Sequence, residues 1–215
     1  MRRLLGALAA AGGVCVAGAA VAAPSVEIDN AVAHVVIAPE ARSDIKIEIV
    51  RGNPRLPLKA WSFLGRTYID GGLGGRIHGC GGTAAQPTAM IWGIGEVPLA
   101  AMPQVVIHVP LDANVSTGGA VWGQVGRSAS LQLSNAGCGS WSVGDVRGDL
   151  RISEAGSGGA QAGAAGRAEI SVAGSGGVSV GQVSGPVNAM DLGSGNIDFA
   201  GINGPFTVRI AGSGQ

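Results

Sequence analysis

Ala155-Gly156-Ser157-Gly158 decides how this chain folds, because it returns. Ala173-Gly174-Ser175-Gly176 repeats it in full, Gly193-Ser194-Gly195 and Gly212-Ser213-Gly214 carry its core, and Gly137-Cys138-Gly139 and Ser116-Thr117-Gly118 are degenerate copies. The central residues are 117, 138, 157, 175, 194 and 213, so after one step of 21 the steps are 19, 18, 19 and 19. A fixed period near 19 marks one small unit stacked on copies of itself.

Aligned copies give columns. Before each turn runs an alternating stretch with Leu131 and Leu133, Leu150 and Ile152, Ala168 and Ile170, Val187 and Ala189, Phe206 and Val208. After it runs a second, with Trp141 and Val143, Ala160 and Ala162, Val178 and Val180, Ile197 and Phe199. A further apolar column holds Val125, Val146, Ala165, Val183 and Ile202. Period two marks strands with one buried face. The expected fold is all-β: a parallel β-helix or β-solenoid with coils of about 19 residues, each strand pairing with its counterpart one coil on. Gly137, Gly139, Gly156, Gly158, Gly174, Gly176, Gly193, Gly195, Gly212 and Gly214 form the repeat turns. They are expected to supply positive φ and to let coils stack closely at the corner. A Gly/Ser/Ala linker is the competing reading, but linkers do not hold Leu, Ile, Val and Phe at fixed columns.

Met1-Arg2-Arg3 and the apolar run Leu4 to Ala23 read as a secretory signal, cut after Ala22. An uncleaved membrane anchor is the alternative, and Val14 before Cys15 argues against a lipoprotein. The mature chain is therefore expected in the periplasm, at the outer surface or outside the cell. Removal of Cys15 leaves Cys80 and Cys138, which are expected to form a disulfide there. A metal site would need more ligands than these and His78 offer. Charged residues make up only 13% and the formal net charge is zero, which excludes the basic stripe of a nucleic-acid binder.

The chain divides into a signal peptide (1–22), first strands of the solenoid (23–50), a loop-rich excursion (51–96) and regular coils (97–215). The first strands are Ser25 to Asp29, Ala33 to Ile37 and the cleanly alternating Ile45 to Val50. Pro54, Pro57 and many glycines mark the excursion, and Thr67 to Asp70 gives it one short strand. Trp61, Phe63 and Trp92 there are expected to cap an open end of the coils. Gln104 to Pro110 re-enters as a strand.

The signal, the strand Asp44-Ile45-Lys46-Ile47-Glu48-Ile49 and the repeated A-G-S-G units together resemble the auto-transporter adhesin, head GIN domain family of bacterial secreted proteins. The resemblance covers most of residues 25–215. It implies a surface or adhesive role and brings no catalytic residues.

Parallel β-helices also serve polysaccharide lyases and hydrolases, which need carboxylates converging on one face. Glu154 and Asp191 share a column with Val172 between them, and are expected to be solvated surface charges. His34, His78 and His108 stand in separate contexts. The stretch Gly193 to Phe199 faintly echoes a calcium-binding nonapeptide, but Ser142, Gln161 and Ser179 stand at the equivalents of Asp198, so no metal or cofactor is expected. The outward positions Ser142, Gln161, Ser179, Gln182 and Asn196 are small and neutral. The expected function is non-enzymatic, adhesin-like binding of an envelope, glycan or other surface ligand. A carbohydrate-active β-helix enzyme is the alternative. Membrane contact is expected only through an uncleaved signal anchor.

Overall fold

The structure, a computed structural model, describes residues 24–214; the signal-peptide assignment lies outside them. The described residues are all-β, with two single-turn 3-10 segments among them at Gly74–Arg76 and Leu99–Ala101. No helix among the described residues is long and apolar enough to cross a membrane. The first strands are β1 (Ser25–Glu40), β2 (Lys46–Arg51), β3 (Lys59–Phe63), β4 (Arg66–Asp70), β5 (Ile77–Gly82), β6 (Pro87–Ile91) and β7 (Gly95–Pro98). Next come β8 (Gln104–Pro110), β9 (Asp112–Val125), β10 (Ser130–Asn135), β11 (Ser140–Val143) and β12 (Val146–Glu154). The last are β13 (Gly159–Ala162), β14 (Ala165–Val172), β15 (Gly177–Val183), β16 (Val187–Asp191), β17 (Ile197–Ile202) and β18 (Phe206–Ile210).

The repeat sets the pairing. Leu131 lies beside Leu150, Leu150 beside Ala168, Ala168 beside Val187 and Val187 beside Phe206, all parallel and one repeat apart. A second file runs Trp141, Ala160, Val178, Ile197 in the same way. The hydrogen-bonded path β9-β10-β12-β14-β15-β13-β11 returns to β9, a closed ring of seven parallel strands. It closes because β9 carries β10 on its first half and β11 on its second, while β14 meets β15 at Ala165 and Val183. The apolar columns point inward and form one continuous core. Large residues face small ones: the Trp141 indole occupies the space a side chain at Gly123 would need, and Ala160 lies on its other side.

Of the two purposes expected of the turn glycines, the close stacking of repeats is present and the positive φ is not. None of the repeat-turn glycines has a positive φ; among the described residues, the glycines that do run from Gly65 to Gly119. What they lack is room. A Cβ on Gly156 would sit 1.8 Å from the Gly137 carbonyl oxygen, on Gly174 1.9 Å from that of Gly156, and on Gly193 2.0 Å from that of Gly174. The second glycines make a parallel file, with Gly176 against Gly158 and Gly195 against Gly176. The Ser175 amide donates to the Gly156 carbonyl at 3.0 Å, and that of Ser194 to Gly174 at 3.0 Å. Backbone stacks directly on backbone, and only glycine permits the approach.

The first part of the chain departs from its expected layout. Residues 25–40 form one strand rather than two, bent at Asn30, which has φ 52°. β2 pairs antiparallel with β8, so the Ile45–Val50 segment is an edge strand and not a coil. Arg42 pairs with Glu40 and Asp44 in the tight connection, and the chain doubles back. The 51–96 stretch holds more strand than its Pro and Gly content led us to expect. β4 joins the main sheet beside β1, and β3 covers β4 in a hairpin. β5, β6 and β7 form a separate antiparallel sheet.

Candidate binding face

The three-stranded sheet and its loops cover an outward face of the stack. Val32, Ala120 and Trp122 point away from the main core on β1 and β9, and are buried instead under Leu56, Leu73, Ile91, Val97 and Met102. Cys80 on β5 is bonded to Cys138 in the repeat turn, with the Cα atoms 5.6 Å apart. The bridge expected from the cysteine count thus fastens the cover to the repeats. Cys138 can stand at the serine position because that position faces outward, towards the cover.

Where the cover ends, a groove of about 450 Å³ opens. Pro87, the half-buried His34 and the buried Trp122 contribute to its wall, and Gln124, Ser142 and Gln161 to its floor. The floor belongs to a column fixed by strand register: Gln124 beside Ser142, Ser142 beside Gln161, Gln161 beside Ser179, and Ser179 beside Asp198. These side chains are exposed because their neighbours Val143, Ala162 and Val180 face inward. The column presents hydroxyl and amide groups at strand spacing, about 4.8 Å apart. Burial, and secondarily the charge of Arg51, holds His34 below its ordinary pKa, which keeps this wall uncharged at neutral pH.

Of the outward residues read from the sequence, the structure brings Ser142, Gln161 and Ser179 together. Asn196 is exposed beside the following turn, and Gln182 lies on the third side, where its amide donates to Asn203 at 3.2 Å. The face formed by β12 and β14 differs. It carries the ion pairs Arg151–Glu169 at 3.4 Å and Arg167–Asp149 at 3.1 Å. One flank is therefore neutral as far as Ser179, with Asp198 beyond it, and the other is studded with paired charge.

Two expectations are overturned. Glu154 and Asp191 are not solvated charges: each is 1% exposed and lies inside the stack. They continue the inward parity of Leu150–Ile152 and Val187–Ala189, and their side chains tuck beneath the turn of the next repeat. The Thr117 hydroxyl donates to Asn135 Oδ1 at 3.1 Å, and Asn135 Nδ2 donates to Glu154 Oε2 at 2.8 Å and to the Gly139 carbonyl at 3.0 Å. The Gly156 amide donates to Glu154 Oε1 at 3.1 Å, and the Gly193 amide to Asp191 Oδ1 at 2.8 Å. Desolvation raises the Glu154 pKa above its ordinary value, although these hydrogen bonds oppose the shift. Enclosed under the turns, this pair cannot flank a bound sugar.

The aromatics of the 51–96 stretch are not buried against an end of the core, although Trp61 and Phe63 stand on β3, the last strand of the main sheet's path. Trp61, Phe63 and Trp92 are 48%, 66% and 64% exposed. Trp61 stacks on Tyr68 across the β3–β4 hairpin, and Trp92 leans on His78. Trp122, Gln124 and His34 line the groove; in the sequence His34 was weighed as a strand residue, and Trp122 and Gln124 were passed over. A signal was present: the inward residues Val121 and Val125 put Trp122 and Gln124 on the outside, and a tryptophan on an outside face calls for a cover.

No protein-family model matches the chain, and no curated protein matches it. Among solved structures, a "putative cell adhesion protein" from Clostridium sporogenes ATCC 15579 is similar at 11% identity, over 88% of this chain and 94% of that one, with a TM-score of 0.26. A likeness at that TM-score leaves fold and function to be argued from the residues of this chain.

Proposed function

We propose that the chain is a parallel β-solenoid module, exported to the cell envelope or beyond, that attaches to a glycan or other polymeric surface without turning it over. Strand pairing one repeat on, repeated through both files, supports the solenoid. A covalent Cys80–Cys138 bridge suits an oxidising compartment and supports export. The A-G-S-G turns support kinship with the head GIN domain family, whose adhesive role fits this reading.

The observation that carries the function is the exposed column Gln124–Ser142–Gln161–Ser179 running out of the groove. Neutral hydroxyl and amide groups at a fixed spacing match a polymer of repeated hydroxyls better than a single charged ligand. Each contact is a hydrogen bond exchanged against water, contributing about 1 kcal/mol or less. Attachment therefore grows with the number of contacts made at once.

The test replaces the column. Gln161→Ala with Ser179→Ala should lower retention of bead-displayed protein on envelope glycan several-fold and leave the melting temperature unchanged. Equal retention of variant and parent would refute the assignment of this face. Export is tested separately by intact mass: the recovered chain should begin at Ala23.

A further inference from the structure

The β3–β4 hairpin holds an exposed leucine in an unfavourable backbone conformation. Phe63 pairs with Arg66, so Leu64 and Gly65 alone make the turn. Both have positive φ, 49° and 78°. A two-residue turn of that kind favours Asn-Gly, and a bulky residue with positive φ is an outlier. Leu64 is 82% exposed, so its side chain adds little to the core. Strain that the fold does not need points to a contact outside it.

Behind the turn the hairpin changes character in steps. Side chains directly opposite each other share a face. Phe63 and Arg66 form the first pair, Trp61 and Tyr68 the second, Lys59 and Asp70 the third. Phe63 and Trp61 are exposed, and Trp61 stacks on Tyr68 with ring centroids 5.5 Å apart. Two residues of strand advance about 6.8 Å, so apolar tip, aromatic pair and charged pair follow one another within about 14 Å. That order matches the passage from lipid chains to water, with Trp and Tyr at headgroup level. Arg66 stands beside Phe63, and its long stem can carry the guanidinium back to headgroup phosphates.

We propose that this hairpin tip inserts into the surface of a lipid bilayer, with Leu64 and Phe63 among the acyl chains and Trp61 and Tyr68 among the headgroups. Lipid yields around a narrow convex tip, whereas a folded partner needs a cavity shaped to it. Glu27 stands beside Tyr68 and Asp29 beside Asp70, carboxylates that stop insertion at the aromatic pair. The position in the chain agrees. The Ser25 amide donates to the Gly65 carbonyl at 3.3 Å, so the turn stands where β1 begins, just after the apolar Leu4 to Ala23 run. A signal sequence there brings the tip to a bilayer during export. The contact is separate from glycan attachment, and vesicle binding reads it alone.

Flotation of the mature chain, from Ala23, with vesicles of phosphatidylethanolamine and phosphatidylglycerol tests the insertion. The parent should float with the vesicles, reversibly, as a contact of a few side chains does. Leu64→Asn places a favoured turn residue at the tip. It should melt no lower than the parent and yet bind vesicles at least about tenfold more weakly, because the inserted side chain is gone. Phe63→Ser should weaken binding to a similar extent. Trp92→Ser removes an exposed tryptophan just after β6 and should leave binding unchanged. A parent that stays in solution would overturn the proposal. So would Leu64→Asn or Phe63→Ser variants that float like the parent, or an equal loss in Trp92→Ser.

Discussion

Asn135 donates its side-chain amide to the Glu154 carboxylate at 2.8 Å inside the stack, where both residues are closed off from solvent. The carboxylate sits there because the inward parity of its strand continues to the turn. Burial raises its pKa above the ordinary 4.5. The folded state then holds the Glu154 proton at pH values where the unfolded chain has released it. That contribution to stability is full below the unfolded value and is lost as pH rises through the folded one. Glu154→Gln should remove this dependence. Urea unfolding from pH 4 to 7 should show the parent losing stability relative to the variant as pH rises. A constant difference between the two across that range would contradict the buried, proton-holding carboxylate.

Gly174 and Gly177 lie three residues apart and should respond oppositely to alanine. A Cβ on Gly174 meets the Gly156 carbonyl at 1.9 Å, whereas one on Gly177 meets nothing nearer than 3.7 Å. Gly174→Ala should cost about 1–3 kcal/mol, because adjacent repeats must separate to admit it. Gly177→Ala should be neutral or slightly stabilising. Thermal melts of the two variants decide it, and equal melting temperatures would contradict backbone-on-backbone stacking.

Much of the stack was legible from residues such as Leu150, Ile152, Val178 and Val180, because period two and a fixed repeat specify both the face and the partner. Glu154 was misplaced although the same period covers it. Its charge suggested solvent, and only the turn above it shows where a carboxylate finds amide donors. The direction of β2 was illegible because alternation marks a strand without fixing its sense. The groove was illegible for a longer-range reason. Trp122 and His34 belong to β9 and β1, which are far apart in sequence and spaced irregularly, and the cover that makes the wall comes from residues between them.

Ile170 and Ser171 are adjacent and face opposite ways: Ile170 is 1% exposed, and Ser171 lies on the outer side. Ile170→Asp should cost more than about 4 kcal/mol by enclosing an unpaired charge between repeats. Ser171→Asp should stay within about 0.5 kcal/mol. Denaturant midpoints measure both, and similar losses would contradict the register.

The Cys80–Cys138 bridge closes a sequence separation of 58 residues and should stabilise the chain by about 2–4 kcal/mol. Its removal in a Cys80→Ser, Cys138→Ser variant should act locally first. Hydrogen exchange should speed up across β5–β7, while the amides of β12 and β14 stay protected. Uniform acceleration through all repeats would contradict a cover fastened onto an independently stable stack.

Attachment through many weak contacts is the central functional claim, and one comparison tests it most directly. Binding to envelope glycan is measured for the soluble protein and for bead-displayed protein across a salt series, with the glycan assayed for cleavage afterwards. The neutral face predicts weak binding by the soluble protein, at least about a hundredfold tighter attachment on beads, little change with salt and intact glycan. Tight binding by the soluble protein, or a shortened glycan, would contradict it.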